Sequence, residues 1–209
     1  MVSKKIFLIK NCLVSFSTAF ILLLRNSFLL IFYPYKTMRK IAIETDFWQI
    51  FLIFFFIFIY FKFVYFLRDN SYPASFTFFI FLFNFFIMIF FFYFLVRFFG
   101  QKPKLLPFVF TFSYSLLPTF FWFISVSFLY LLLPPPRTVS FLGQFFSIFF
   151  ITYSLSLLLW KVILFYLALR FSTKLGFYRI IYMTTLFILW FIPYSVLLYY
   201  LKIFRVPFI

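Results

Sequence analysis

Negative charge is scarce in this 209-residue chain, which has three Asp and Glu residues against 19 Lys and Arg residues. Histidine is absent, so no imidazole can bind a metal or act as a general base. The one cysteine, Cys12, has no second cysteine with which to form an internal disulfide. Only three glycines occur, and none belongs to a phosphate-binding loop. We therefore predict no catalytic residues, no metal site and no cofactor, and we expect that the protein is not an enzyme.

Charge is also missing from four long runs, at residues 70–96, 105–136, 138–160 and 180–201. The chain as a whole is 67% hydrophobic and 11% charged, whereas soluble domains carry about 25% charged residues. A helix needs roughly 20 apolar residues to cross the hydrocarbon core of a bilayer. The runs therefore indicate a multi-pass integral membrane protein.

Charges and prolines divide the chain into five apolar segments that we predict to be transmembrane helices. These segments cover residues 47–67, 75–96, 108–133, 141–168 and 180–201. The triple proline at 134–136 separates the third segment from the fourth, because three successive residues without N–H groups cannot continue a helix.

An additional apolar segment, residues 6–33, precedes these five. Its uninterrupted part, residues 12–24, is too short to span a bilayer. Polar residues recur in it at steps of seven, four and three, which places them on one face of a helix: Lys4, Asn11, Ser15, Thr18 and Arg25. This pattern is typical of an amphipathic helix that lies in the membrane interface, with a sixth span as the alternative. The predicted fold is all-α, with an N-terminal interfacial region (1–46) and a five-helix transmembrane domain (47–209).

The distribution of the cations predicts the orientation of the spans. A cytoplasmic N terminus places thirteen of the 19 Lys and Arg residues inside and four outside, with Lys62 and Lys161 within spans. The positive-inside rule therefore favours a cytoplasmic N terminus and an external C terminus, and we expect a prokaryotic cell membrane. Because the cations gather at span ends rather than on one surface, anionic lipid headgroups fit them better than nucleic acid does, and we predict no nucleic-acid partner.

Polar residues inside the spans form two stripes. One stripe, in the third span, contains Thr111, Ser115, Pro118, Trp122 and Ser125, with Tyr114 beside it. The other, in the fourth span, contains Ser140, Ser147, Ser154 and Lys161 at intervals of seven. Small hydroxyl residues let helices approach closely and bond to one another, and a polar cavity lined by both stripes is the alternative. Pro118 and Pro193 predict kinks, because each removes a backbone hydrogen bond.

Two further residues stand out within the predicted spans. Lys161 is a cation in an apolar helix, where it must reach lipid phosphate, pair with Glu44 or Asp46, or bind a ligand. Asn84 lies in the middle of the second span, where an amide most often bonds to another helix. Candidate packing or partner-binding residues are therefore Tyr114, Ser115, Pro118, Ser154, Lys161 and Asn84.

The order of these features resembles a known family. A proline turn with basic residues (32–41) precedes two spans, Arg97-Phe98-Phe99-Gly100-Gln101-Lys102 follows them, and Tyr114, Ser115 and Pro118 give Tyr-Ser-x-x-Pro in the third span. The region 30–203 is similar to the Ypt-interacting-protein (Yip) domain family of five-span membrane proteins, and most similar to its prokaryotic branch. The Tyr-Ser-x-x-Pro fragment and Gly100 carry this resemblance.

The resemblance implies a non-enzymatic membrane protein that associates with other membrane proteins or with itself, or that organises the bilayer. The alternative is a small transporter or permease component that moves a small-molecule solute between polar-lined, kinked helices. Proton or sodium coupling usually requires a carboxylate within a span, and Glu44, Asp46 and Asp69 all lie outside the predicted spans.

Overall fold

The computed structural model describes residues 2–44, 46–67, 72–132 and 141–202. These residues form eight α-helices, and no strand occurs among them. The helices are α1 (Val2–Phe32), α2 (Pro34–Ile41), α3 (Phe47–Leu67), α4 (Ala74–Phe98), α5 (Leu105–Ser115), α6 (Leu117–Leu132), α7 (Phe141–Thr173) and α8 (Phe177–Tyr200). The triple proline at 134–136 and Ser140 lie outside the described residues.

Six helical segments in the described part of the chain are long and apolar enough to cross a membrane. They are Val14–Phe32, Phe47–Leu67, Ala74–Phe98, Leu105–Leu129, Gly143–Thr173 and Phe177–Tyr200. The last five correspond to the five predicted spans. The first lies in α1, so the prediction of five spans with an interfacial N-terminal helix is not confirmed by helix length and composition.

The predicted irregularity at Pro118 is present as the boundary between α5 and α6. The Leu116 N–H bonds to the Ser113 oxygen three residues earlier, at 3.2 Å, instead of four residues earlier. Pro118 has no N–H to offer the Tyr114 carbonyl, so the regular hydrogen-bond ladder changes there. Around Pro193, in contrast, α8 continues as one helix.

The α5–α6 segment lies at the centre of the bundle. Every residue from 111 to 119 is buried, and α5 packs against α2, α3, α4 and α7. Phe112 of α5 contacts Phe92 of α4 and Phe165 of α7, with ring centroids 5.8 and 5.4 Å apart. Each helix also exposes large apolar side chains on its outer face. That pattern is expected when lipid, rather than water, surrounds the bundle.

The two ends of the bundle differ in charge. The α2 helix, the α4–α5 loop and the end of α7 meet at one end, where Arg39, Lys102 and Arg170 line a shared cavity. These are the three segments that the cation count assigns to one side of the membrane. At the other end, the Tyr72 hydroxyl donates a hydrogen bond to the Leu201 carbonyl at 3.3 Å. The beginning of α4 and the end of α8 therefore lie together, away from the basic end.

Gly100 ends α4 in a left-handed conformation. Its φ angle is 76°, its N–H bonds to the Arg97 oxygen at 3.0 Å, and the Gln101 N–H bonds to the Val96 oxygen at 3.3 Å. These two bonds form a Schellman motif, which favours glycine because a Cβ atom is strained at positive φ.

We expect Gly100→Ser to lower the free energy of unfolding by about 1 kcal/mol, because a residue with a Cβ atom must then adopt the left-handed conformation. Thermal unfolding in a nonionic detergent measures the change. Gly176→Ser is the matched control, because Gly176 is the N-cap of α8 at φ −73°, where serine is favoured and no atom lies within 4 Å of an added Cβ. Equal losses of stability in the two variants would contradict a requirement for glycine at position 100.

Candidate functional site

A buried polar cluster joins three helices near the basic end of the bundle. Asn26 of α1, Gln49 of α3 and Tyr114 of α5 are 1%, 4% and 0% exposed. The Tyr114 hydroxyl donates to the Gln49 side-chain oxygen. The Asn26 amide donates to the Tyr114 hydroxyl at 3.3 Å and lies 3.5 Å from the Gln49 oxygen. The cluster therefore connects residues that are up to 88 positions apart in sequence.

Asp46 extends this cluster to the start of α3. Its carboxylate accepts one hydrogen bond from the Gln49 amide and one from the Trp48 backbone N–H, both at 3.1 Å. A carboxylate at a helix N-terminus satisfies a free N–H group and interacts favourably with the helix dipole. The Gln49 amide nitrogen is thereby bonded to Asp46 and its oxygen to Tyr114, so the side chain is held in one orientation.

Of these residues, the sequence interpretation identified only Tyr114 as a candidate. Asn26 lies just beyond the uninterrupted apolar run 12–24, and Gln49 lies near the start of the first predicted span. A search for every amide within an apolar helix would have found Gln49, because such a group needs a partner in hydrocarbon. The partnership itself depends on contacts between distant segments.

The polar stripes of the third and fourth predicted spans meet along the contact between α6 and α7. The Trp122 indole N–H donates to the Ser154 hydroxyl at 3.2 Å, and the hydroxyls of Ser125 and Tyr153 are 2.8 Å apart. Ser115 is 4% exposed, and its hydroxyl donates to the Phe112 carbonyl of its own helix at 2.8 Å. The stripe residues thus form hydrogen bonds either to the neighbouring helix or to the backbone of their own helix.

Asn84 in the second predicted span contacts the last helix. The Tyr194 hydroxyl donates to the Asn84 side-chain oxygen at 2.6 Å and so connects α4 to α8. The Asn84 amide nitrogen is buried without a hydrogen-bond partner in the part of the chain that the structure describes. One half of the amide therefore bonds a neighbouring helix, as expected for this residue.

Lys161 lies half-buried on α7, one turn before the buried Leu164. The alternative of a pair with Glu44 or Asp46 is not found: Glu44 lies 3.2 Å from the Lys40 ammonium, and Asp46 binds the start of α3. Two buried donors on α6 and α7 lack partners among the described residues, namely the Thr119 hydroxyl and the Trp160 indole N–H. Of these two, Trp160 directly precedes Lys161 in α7.

Removing the Tyr114 hydroxyl tests the polar cluster. We expect Tyr114→Phe to lower the free energy of unfolding by about 1–3 kcal/mol, because the buried Gln49 and Asn26 groups lose a partner that no water replaces. Thermal unfolding in detergent gives the comparison with Tyr178→Phe, the same atomic change at a side chain that is 86% exposed. If both variants are as stable as the parent protein, the cluster does not support the bundle.

Comparison of the chain with protein-family models, with curated proteins and with solved structures gives no match. Its resemblance to the Yip family stays a hypothesis based on the residues quoted above. The site geometry and the apolar helices are consequently the basis for a functional proposal.

Proposed function

We propose that this chain is a non-enzymatic, multi-pass membrane protein that associates with other membrane proteins or organises the bilayer, as its resemblance to the Yip family implies. The observation that carries the proposal is the closed centre of the bundle. Thr111, Ser113, Tyr114 and Ser115 are between 0% and 4% exposed, and each donates a side-chain hydrogen bond within the protein. Polar residues that are buried and hydrogen-bonded in this way at the centre of the bundle support packing better than they support a solute path.

The exposed face of α7 is consistent with an associating protein. Only 6% of the residues in the most apolar stretch of this helix are buried inside the protein, compared with 56% in the α5–α6 segment. Large apolar residues, including Phe145, Phe149 and Leu158, are exposed along it. In a membrane, this face is available to lipid or to another transmembrane helix, whose association depends on close packing.

We also propose five spans, with α1 lying obliquely in the interface. Phe16 and Asn26 are about 15 Å apart along α1 at 1.5 Å per residue. Phe16 nevertheless contacts Trp48, with ring centroids 5.9 Å apart, while Asn26 contacts the adjacent Gln49. An α1 helix that crossed the membrane antiparallel to α3 would bring Phe16 about ten residues further along α3. Phe20, four residues after Phe16, contacts Phe56 two turns further along α3, with ring centroids 6.2 Å apart, so α1 crosses α3 at an angle. The contact of the Phe16 ring with Trp48 supports an oblique α1 over a regular antiparallel pair.

The position of the N terminus distinguishes five spans from six. Both arrangements place the C terminus opposite the basic end, because α8 begins at the basic end and finishes beside Tyr72. Only an interfacial α1 keeps the N terminus on the side of the α4–α5 loop.

A topology experiment follows directly from this difference. Reporters of cytoplasmic or external location are placed before Met1, in the loop between Gly100 and Lys104, and after Ile209. We expect the first two to report the cytoplasm and the third to report the exterior, because the basic end is retained inside. An external N terminus combined with a cytoplasmic loop would replace the interfacial helix with a sixth span.

The transporter alternative rests on Lys161 and on the unsatisfied indole N–H of Trp160, its neighbour in sequence. A half-buried ammonium that follows an unbonded indole would favour a polar solute, because isolated polar groups in hydrocarbon are unfavourable. Such a solute should raise the thermal stability of the protein, and Lys161→Met should remove that increase.

Paired serine substitutions separate packing from transport. We expect Ser154→Ala to lower the free energy of unfolding by about 0.6–2 kcal/mol, because the Trp122 indole loses its acceptor. Ser156→Ala is the control, because the Ser156 hydroxyl is exposed and bonds to the Thr152 carbonyl of its own helix, at 2.9 Å, rather than to a neighbouring helix in the described part of the chain. Thermal unfolding and solute flux are measured in proteoliposomes. Unchanged stability with reduced flux in Ser154→Ala would favour the transporter.

A further inference from the structure

A cavity of about 1270 Å³ opens at the basic end of the bundle. The end of α2, the α4–α5 loop, the first turn of α5 and the end of α7 form its walls. Five of the residues that line it are cations: Arg39, Lys102, Lys104, Arg170 and Lys174. None of its lining residues in the described chain is Asp or Glu. The cavity therefore concentrates positive charge that segments distant in sequence contribute.

The few carboxylates of the protein do not neutralise this charge. Glu44 pairs with Lys40, which does not line the cavity, and Asp46 accepts hydrogen bonds at the start of α3. Asp69 lies outside the described residues. Among the described residues, Lys40–Glu44 is the one ion pair, so the five cations repel one another without a carboxylate between them.

A favourable interaction with a helix dipole explains the position of only some of these cations. Arg39 and Arg170 lie in the last turns of α2 and α7, where a positive charge interacts favourably with the free carbonyl groups. Lys104, in contrast, is the N-cap of α5 and makes no side-chain capping bond. A cation is unfavourable at a helix N-terminus, where free N–H groups instead attract anions.

We infer that this cavity binds a phosphate-bearing ligand with more than one negative charge. Its volume exceeds what one phosphate needs, and its cations come from three segments of the chain. The first turn of α5 adds the free backbone N–H groups of Leu105 and Leu106 to the wall. The headgroup of an anionic lipid and a soluble polyphosphate share this chemistry. The cavity lies where the apolar helices end, at the depth of lipid headgroups, and basic recesses between transmembrane helices commonly bind such groups. This inference goes beyond the proposed association with membrane proteins and does not depend on it.

Two double variants with the same loss of charge test the inference. Lys102→Gln with Lys104→Gln removes two cations from the cavity, whereas Arg97→Gln with Arg179→Gln removes two exposed cations at the same end that do not line it. Lys102 and Lys104 are exposed, so their substitution leaves the core intact. Circular dichroism and thermal unfolding in phosphatidylcholine nanodiscs verify that both double variants are folded.

Binding is measured with two probes that each carry two phosphates, cardiolipin retained by the protein in native mass spectrometry and inorganic pyrophosphate in a thermal-shift titration. We expect the cavity variant to bind at least one of them about tenfold more weakly than the parent protein, since each cation contributes to attraction at the membrane surface. The Arg97 and Arg179 variant should bind nearly as well as the parent, and Lys102→Arg with Lys104→Arg should restore binding.

The outcomes separate the two ligand sources and the competing explanation. A cavity-dependent loss for cardiolipin assigns the site to a lipid headgroup, and a loss for pyrophosphate alone assigns it to a soluble ligand. Equal losses in both double variants would mean unspecific attraction to a basic surface and would overturn the inference. Binding that no variant changes, or no binding of either probe by the parent protein, would overturn it as well.

Discussion

The structure depends on one constraint, that a polar group in hydrocarbon must find its partner within the protein. The Asn26, Gln49 and Tyr114 cluster forms such bonds across three helices, and the Asn84 to Tyr194 bond joins two more. Among the described residues, the Asn26 side-chain oxygen and the Asn84 amide nitrogen still lack a partner. Because water cannot compete for these groups, each bond also fixes which helix faces which. A small number of polar residues thus determines the arrangement of a largely apolar bundle.

Apolar side chains provide most of the contact area between the helices, and the polar groups determine which helix faces meet. Phenylalanine occurs 46 times and lies both in the core, as at Phe92 and Phe112, and on the outer surface, as at Phe83 and Phe145. Phenylalanine burial alone does not determine which face of a helix points inward when lipid is as apolar as the core. The central α5–α6 segment combines both, because its buried residues include aromatic rings as well as Thr111, Ser113 and Ser115.

Charge follows the same constraint at the ends of the helices. Cations that cannot remain in the apolar spans collect at the turns, and the fold brings three of those turns together around one cavity. The basic end that gives the bundle its proposed orientation is therefore also where an anionic ligand would be attracted. One distribution of charge underlies both proposals, although orientation depends on the count of cations and binding depends on their arrangement.

The sequence by itself determined the all-helical class and the position of the long apolar helices. The predicted spans 47–67 and 75–96 correspond to Phe47–Leu67 and Ala74–Phe98, because hydropathy and helix-breaking residues act locally. Only the tertiary structure decided the partners of Asn26, Gln49 and Asn84 and the grouping of five cations. The Asn84 to Tyr194 bond alone joins residues 110 positions apart, and no local pattern encodes which distant helix a polar side chain will meet.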